Sequence, residues 1–225
     1  MRPRVVFLDF GGTLVESVPD SFPAYAWVFR RFGVPVDQER WKEADQRVWQ
    51  RLGPTMYECR GKTPSFWDRV HAGVLHELGV SDSDGRICAA LHDRFTSPEL
   101  HRPFPETEEV LGRLRSEGLA LHIVSNNTDF LLETISRLGW TERFDSVTFS
   151  QEIGAEKPDH RVFDLALRRA GCKPVEALHV GDSWDADYLG AKGAGVRGVW
   201  LNRRSAPNPG PCESIRDLRE LQALL

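Results

Sequence analysis

The sequence predicts an α/β fold: a doubly wound, mostly parallel sheet carrying an inserted α-helical domain. Three observations predict it. Short continuous apolar runs recur along the chain, helical patterns separate most of them, and one long stretch holds helical patterns alone. Val5, Val6, Phe7 and Leu8 form the first run. It suits a strand buried on both faces and ends at Asp9 in a glycine-containing turn, Gly11-Gly12-Thr13. Similar runs lie at Leu119 to Val124, Ala177 to Val180 and Val196 to Leu201, with a weaker one at Ser146 to Phe149.

The helices between them are marked by their ends. From Glu106 to Glu117 acidic residues lead, Arg113 and Arg115 follow and Gly118 closes the segment, matching the helix dipole and the usual C-terminal glycine. Leu131, Ile135 and Leu138 repeat the pattern before Gly139. Pro158 is expected in the first turn of a helix whose apolar face is Val162, Phe163, Ala166, Leu167 and Ala170. Ser214 and Asp217 resemble a capping box opening the last helix.

Residues 16–101 read differently, with four amphipathic stripes and no convincing buried strand. The stripes are Tyr25/Val28/Phe29/Phe32, Trp41/Ala44/Val48, Phe66/Val70/Val74/Leu78 and Ile87/Leu91/Phe95. These aromatics are expected to form a bundle core. Pro98, Pro103 and Pro105 make a stiff return to the α/β part. The expected division is therefore residues 1–15 and 102–225 as the α/β core and 16–101 as the inserted domain.

Apolar residues make up 40% of the 225-residue chain and charged ones 28%, which is ordinary globular composition. A net charge of -4 with both signs interspersed points to neither a nucleic acid nor an anionic membrane as the main partner. Cys59, Cys88, Cys172 and Cys212 lack Cys-x-x-Cys spacing and read as reduced structural thiols. With no signal-like start and no apolar run near the roughly 20 residues needed to span a bilayer, the expected location is cytoplasmic. The expected state is a monomer or homodimer.

Four separated pieces carry the chemistry, each at the expected carboxyl end of a parallel strand, where open α/β sheets bind ligands. In DFGGTL, Asp9 to Leu14, a carboxylate meets a turn whose amides, Gly12 among them, can face an anion. IVSNN, Ile123 to Asn127, delivers the Ser125 hydroxyl and the Asn126 and Asn127 amides. GAEKPD, Gly154 to Asp159, places Lys157 just before a helix. In HVGDSWDAD, His179 to Asp187, a strand ends at Asp182 and Asp187 follows about one turn later, so two carboxylates can converge on a hard cation.

Taken in order, these pieces resemble the haloacid dehalogenase superfamily of aspartate-nucleophile hydrolases, and the resemblance covers nearly the whole chain. It implies a Rossmann-like core with a helical cap inserted between the first and second motifs, and cap closure that excludes water. It implies that Asp9 is the nucleophile and that Ser125 and Lys157 bind the transferred group. Asp9, the Gly11 carbonyl and Asp182 would bind Mg2+, with Asp187 ligating directly or through water. Cys59-Arg60-Gly61-Lys62 lies in a cap loop of the kind that faces the site in relatives, so Arg60 and Lys62 are candidate substrate contacts, against ordinary surface charge.

The chain departs from the superfamily's phosphatases at Gly11, where they usually carry a second aspartate that protonates the leaving oxygen and activates water. General acid–base catalysis of that kind contributes about 10²- to 10⁴-fold. The leading expectation is a magnesium-dependent phosphohydrolase of a small phosphorylated metabolite, acting through an aspartyl-phosphate and favouring good leaving groups. Glu16 is the nearest acidic candidate to replace the missing acid. Alternatives are a dehalogenase or a phosphonatase, the latter needing a cap lysine such as Lys62 rather than the solvated Lys42, or a non-catalytic binder of phosphorylated ligands. His71, His76, His92 and His101 lack metal-ligand spacing, His179 is expected in its strand, and Asp82 to Gly85 reads as a turn and helix start. Asp185 could join the metal site or serve a cap.

Overall fold

The computed structural model describes residues 2–16, 20–59, 62 and 64–225. Arg60, one of the candidate substrate contacts, lies outside them. The chain divides into two compact units, one of Met1–Ser17, His101–Asn127 and Gly139–Leu225, the other of Val18–Leu100 and Thr128–Leu138.

The first unit is built on a six-stranded sheet of β1 (Val5–Leu8), β2 (Ala120–Ser125), β3 (Ser146–Phe149), β4 (Ala177–Gly181), β5 (Arg197–Leu201) and β6 (Ser214–Ile215). Their order is β3-β2-β1-β4-β5-β6 and every pairing is parallel. Chain order runs outward from β1 through β2 and β3, then jumps back across β1 to β4, so β1 and β4 flank a switch point, where such sheets open a ligand crevice. Leu8 lies opposite both Ile123 and Val180. Asp9 therefore leaves the sheet level with the ends of β2 and β4, and its N–H donates to the Val180 carbonyl at 3.0 Å.

β1 is buried at all four residues, as a strand with helices on both faces must be. Val5 and Phe7 share a core with Val162, Phe163 and Ala166 of the helix His160–Ala170. Asp159 caps that helix by accepting from Arg161 N, so Pro158 precedes the cap instead of occupying the first turn. The last expected helix start is also displaced. Ser214 pairs in β6 along the open edge of β5, and Asp217 alone caps the 3-10 turns Leu218–Leu224 through Arg219 N at 2.8 Å. An S-x-x-D tetrapeptide suits either fate, and a free sheet edge decided it.

The second unit contains α1 (Phe22–Arg31), α2 (Gln38–Leu52), α3 (Phe66–Glu77) and α4 (Arg86–Phe95), together with the helix Phe130–Arg137 that follows β2. Tyr25, Val28, Phe29, Trp41, Ala44, Val48, Phe66, Val70, Val74, Leu78, Ile87 and Leu91 form one core. Burying a large apolar side chain of this kind is worth about 1.5–3 kcal/mol relative to exposure. Asp37 caps α2, Ser65 and Asp68 form a capping box on α3, and Asp82 accepts from Ile87 N and Cys88 N to open α4. His92 lies between two carboxylates, with Nδ1 2.9 Å from Asp68 and Nε2 2.7 Å from Glu133. Cys88, Cys172 and Cys212 are free thiols. Among the described residues no helix is long and apolar enough to cross a membrane.

Candidate active site

At the carboxyl ends of β1, β2 and β4 a cavity of about 300 Å³ is lined by Asp9, Gly11, Ser125, Asn126, Asn127, Lys157, Asp182, Ser183, Ala186 and Asp187. Residues from all four sequence pieces thus meet in one place, entirely within the first unit.

Lys157 is the hub. Its ammonium donates to Asp9 Oδ1 at 2.8 Å, to the Val124 carbonyl at 2.8 Å and to Asp187 Oδ1 at 2.5 Å. Burial alone would lower its pKa, but the Asp187 and Asp9 carboxylates reverse this and hold it above the usual lysine value. Its backbone is gripped by Asn126, whose Oδ1 accepts from Lys157 N at 2.7 Å and whose Nδ2 donates to Lys157 O at 3.1 Å. The Asn126 side chain thereby ties β2 to the lysine loop. Asn127 lines the cavity while its N–H donates to Ser150 Oγ at 3.1 Å.

Asp9 is almost wholly buried. Burial raises its pKa, the Lys157 ammonium opposes that rise, and Asp187 adds to it. Thr13 Oγ1 donates to Asp9 Oδ2 at 3.3 Å, which orients the carboxylate. Gly12 has φ +78 and its N–H donates to the Val15 carbonyl at 2.8 Å. A Cβ at Gly12 would overlap the Asp182 carboxylate, so glycine here serves close approach, and its amide is spent within the turn. A Cβ at Gly11 would meet nothing within 4 Å.

Asp187 lies within a wide turn, Trp184–Leu189, in which Tyr188 N donates to Ser183 O, five residues back. Such π-type turns cluster at functional sites. The buried carboxylate accepts from Lys157 and from His179 Nε2 at 2.8 Å on Oδ1, and from Ser183 N at 3.0 Å on Oδ2. Burial would raise its pKa, yet Lys157 and His179 hold it well below the usual carboxylate range. Gly181 has no room for a side chain because a Cβ there would overlap Asp187. Trp200 Nε1 donates to the Asp182 carbonyl at 3.0 Å, and the Asp182 side chain remains exposed at the cavity mouth. Partial burial, followed by repulsion from Asp9 and Asp187, pushes Asp182 up to about 6.

One carboxylate atom from each of Asp9, Asp182 and Asp187 lies within 4.8 Å of the others. Three clustered carboxylates, two of them raised in pKa by burial and then by neighbouring carboxylates, are a donor set that a hard divalent cation suits and relieves. Asp185 is exposed and outside the cluster. Lys62 is exposed and belongs to the second unit. Motif reading missed the bonding role of His179, the Thr13 hydroxyl and Arg203, whose guanidinium reaches the Gly12 and Thr13 carbonyls. Spacing could have suggested the first two, which sit on the motifs themselves. Nothing local marks Arg203.

The fold and the acid cluster define a doubly wound α/β protein with an acidic site at a sheet switch point. The family model for haloacid dehalogenase-like hydrolases matches residues 3–195, and the chain belongs to that family. It is 31% identical to a phosphoserine phosphatase of Thermus thermophilus, over 97% of both chains. It is also 44% identical to a glyceraldehyde 3-phosphate phosphatase of Methanothermobacter thermautotrophicus over 46% of both. A crystallised 2-haloacid dehalogenase of Pseudomonas syringae superposes with a TM-score of 0.74 at 25% identity, covering 99% of this chain and 97% of that one.

Proposed function

We propose that this hydrolase is a magnesium-dependent phosphohydrolase of small phosphorylated metabolites, working through an aspartyl-phosphate on Asp9. The observation that carries the reading is the convergence of Asp9, Asp182 and Asp187 within 4.8 Å, in the cavity that also holds Lys157. Phosphatase names among the relatives support it.

A carboxylate attacking an anionic phosphoryl group needs its repulsion offset. Asp9, the Gly11 carbonyl and Asp182 would hold Mg2+, with Asp187 behind them, and the bound ion supplies that charge neutralisation. Lys157 adds a fixed positive charge beside the nucleophile, and Ser125 offers a hydroxyl to the transferred group. An Asp9 oxygen forms the bond to phosphorus while the bond to the leaving oxygen breaks and carries its electron pair away. Water then cleaves the acyl phosphate, releasing inorganic phosphate and regenerating the Asp9 carboxylate. With glycine at position 11 the departing oxygen receives no proton from that position, so substrates with good leaving groups are favoured. Residues 1–15 and 102–225 carry the chemistry in this reading, and residues 16–101 the substrate choice.

A second reading is carbon–halogen hydrolysis on the same Asp9, favoured by the glycine at position 11 and by likeness to a dehalogenase. Phosphate and halide release from an aryl phosphate, an alkyl phosphate and a 2-haloacid, with magnesium and with chelator, separates the two. Magnesium-dependent phosphate release that strongly favours the aryl ester and vanishes in Asp9→Asn is the expected result. Halide release that survives chelation, without phosphate release, would establish the second reading instead.

A further inference from the structure

We infer that Arg203 is a positioning residue that clamps the turn following Asp9. The consequence for turnover rests on Asp9 being the nucleophile; the clamp itself does not. Arg203 lies beyond residues 3–195, the span matched by the family model, and 190 positions from Thr13.

Its guanidinium hydrogen-bonds two carbonyls and forms an ion pair with one carboxylate. Nε donates to the Gly12 carbonyl at 3.2 Å, Nη2 donates to the Thr13 carbonyl at 2.8 Å, and Nη1 pairs with Glu106 Oε1 at 2.6 Å. The guanidinium carbon lies 3.6 Å from the centroid of the Phe104 ring. Only arginine offers a planar fork that can bond several acceptors in its own plane while its face stacks on a ring. Glu106 is 3% exposed, a burial that a carboxylate tolerates only with a cation beside it.

The base of this arm is itself fixed. Asn202 Oδ1 accepts from Ala206 N at 2.8 Å and Asn202 Nδ2 donates to the Ala206 carbonyl at 2.8 Å. Asn202 N donates to the Ile215 carbonyl at 2.7 Å, anchoring the loop to β6. Ser205 sits at φ +51, a left-handed conformation that a non-glycine residue keeps only when its surroundings impose it. Arg203 therefore projects from a preorganised loop, not from a free tail.

At the other end, bonds to two successive carbonyls stop the Gly12–Thr13 and Thr13–Leu14 peptide planes from rotating. Thr13 carries the restraint onward, because its hydroxyl is bonded to Asp9 Oδ2. The chain of contacts from Arg203 to the nucleophile is thus one residue long. Loosening it lets the carboxylate wander, and a misplacement of 1 Å at a reacting atom costs about 10²-fold in rate.

The test compares native protein with Arg203→Lys and with the double variant Arg203→Met/Glu106→Gln, which leaves no unpaired buried charge. Amide hydrogen exchange is read at Leu14 and Val15, whose N–H groups donate to the Phe10 carbonyl within the turn, and at strand amides of β2 and β4. Exchange at Leu14 and Val15 is expected to accelerate about tenfold or more while the strands are unchanged. On an aryl phosphate, kcat is expected to fall about 10²-fold with KM moving less than about threefold. Turn exchange at the native rate, acceleration shared equally by the strands, or an unchanged kcat despite a loosened turn would each overturn the inference. Absence of phosphate release from native protein would instead count against the phosphohydrolase reading, and the exchange data would still decide the clamp.

Discussion

At Gly11 an added Cβ meets nothing within 4 Å, whereas at Gly12, with φ +78, it overlaps the Asp182 carboxylate. Adjacent glycines in one turn therefore carry opposite expectations. Gly11→Asp should fold normally and, if the missing acid limits turnover, raise alkyl-phosphate hydrolysis by about 10²- to 10⁴-fold. Phosphate release from native and variant protein side by side measures it, and an unaltered alkyl rate would show that another group supplies the proton. Gly12→Ala should abolish turnover, because strain at a positive φ adds to displacement of Asp182. Both glycines were visible in the sequence as a flexible turn. Which one carried the steric constraint was not, since Asp182 is 170 positions away and meets Gly12 only in the folded chain.

Between elements, the Asn126 side chain joins the end of β2 to the lysine loop through two hydrogen bonds to the Lys157 backbone, at 2.7 and 3.1 Å. Asn126→Ala should leave the Lys157 N–H and carbonyl without these partners at a cost of about 0.5–1.5 kcal/mol, because Asn126 is exposed and water can replace part of what is lost. Denaturant unfolding reads that cost, and kcat should drop with it because Lys157 loses its anchor. From sequence, Ser125, Asn126 and Asn127 looked like ligand-facing polar groups at a strand end. Asn126 instead spends both ends of its amide on protein, a division of labour that residue types cannot announce. The wide turn at Trp184–Leu189 is similar. Its acidic pair was legible from spacing, but the hydrogen bond from His179 Nε2 to Asp187 required β4 and that turn to be built.

At the scale of the whole molecule, folding of the second unit couples to pH through His92. Both ring nitrogens face carboxylates, which override burial and raise its pKa above 6.5, while His92 helps hold Asp68 below 3.8 and Glu133 below 4.5. Stability from the raised histidine is fully present below about pH 6.5 and is lost as pH rises through its folded value. Stability from the lowered carboxylates is present above their unfolded values and is lost as pH falls through the folded ones. The two windows overlap at about pH 5–6. There the melting temperature of native protein should exceed that of His92→Gln most, with the gap closing as pH rises through the raised His92 value. The Glu133 side chain is 38% exposed, so solvent screening limits the effect to about 1 kcal/mol. His71 is held down at about 3, mainly by burial and last by His92, so it stays neutral at this pH in native protein. A gap independent of pH would mean that His92 acts through packing alone.

Local chemistry decided much of this protein before any contact across the chain was made. Short apolar runs made buried strands and 3.6-residue stripes made helices, because those preferences depend on neighbours a few positions away. Tertiary structure decided what depends on distant partners. It used Ser214 to extend a sheet edge, turned Asn126 into a clamp, matched Gly12 and Gly181 to the carboxylates they admit, and brought Arg203 onto the turn beside Asp9. In each case the deciding atom belongs to a residue whose position along the chain says nothing of its position in space.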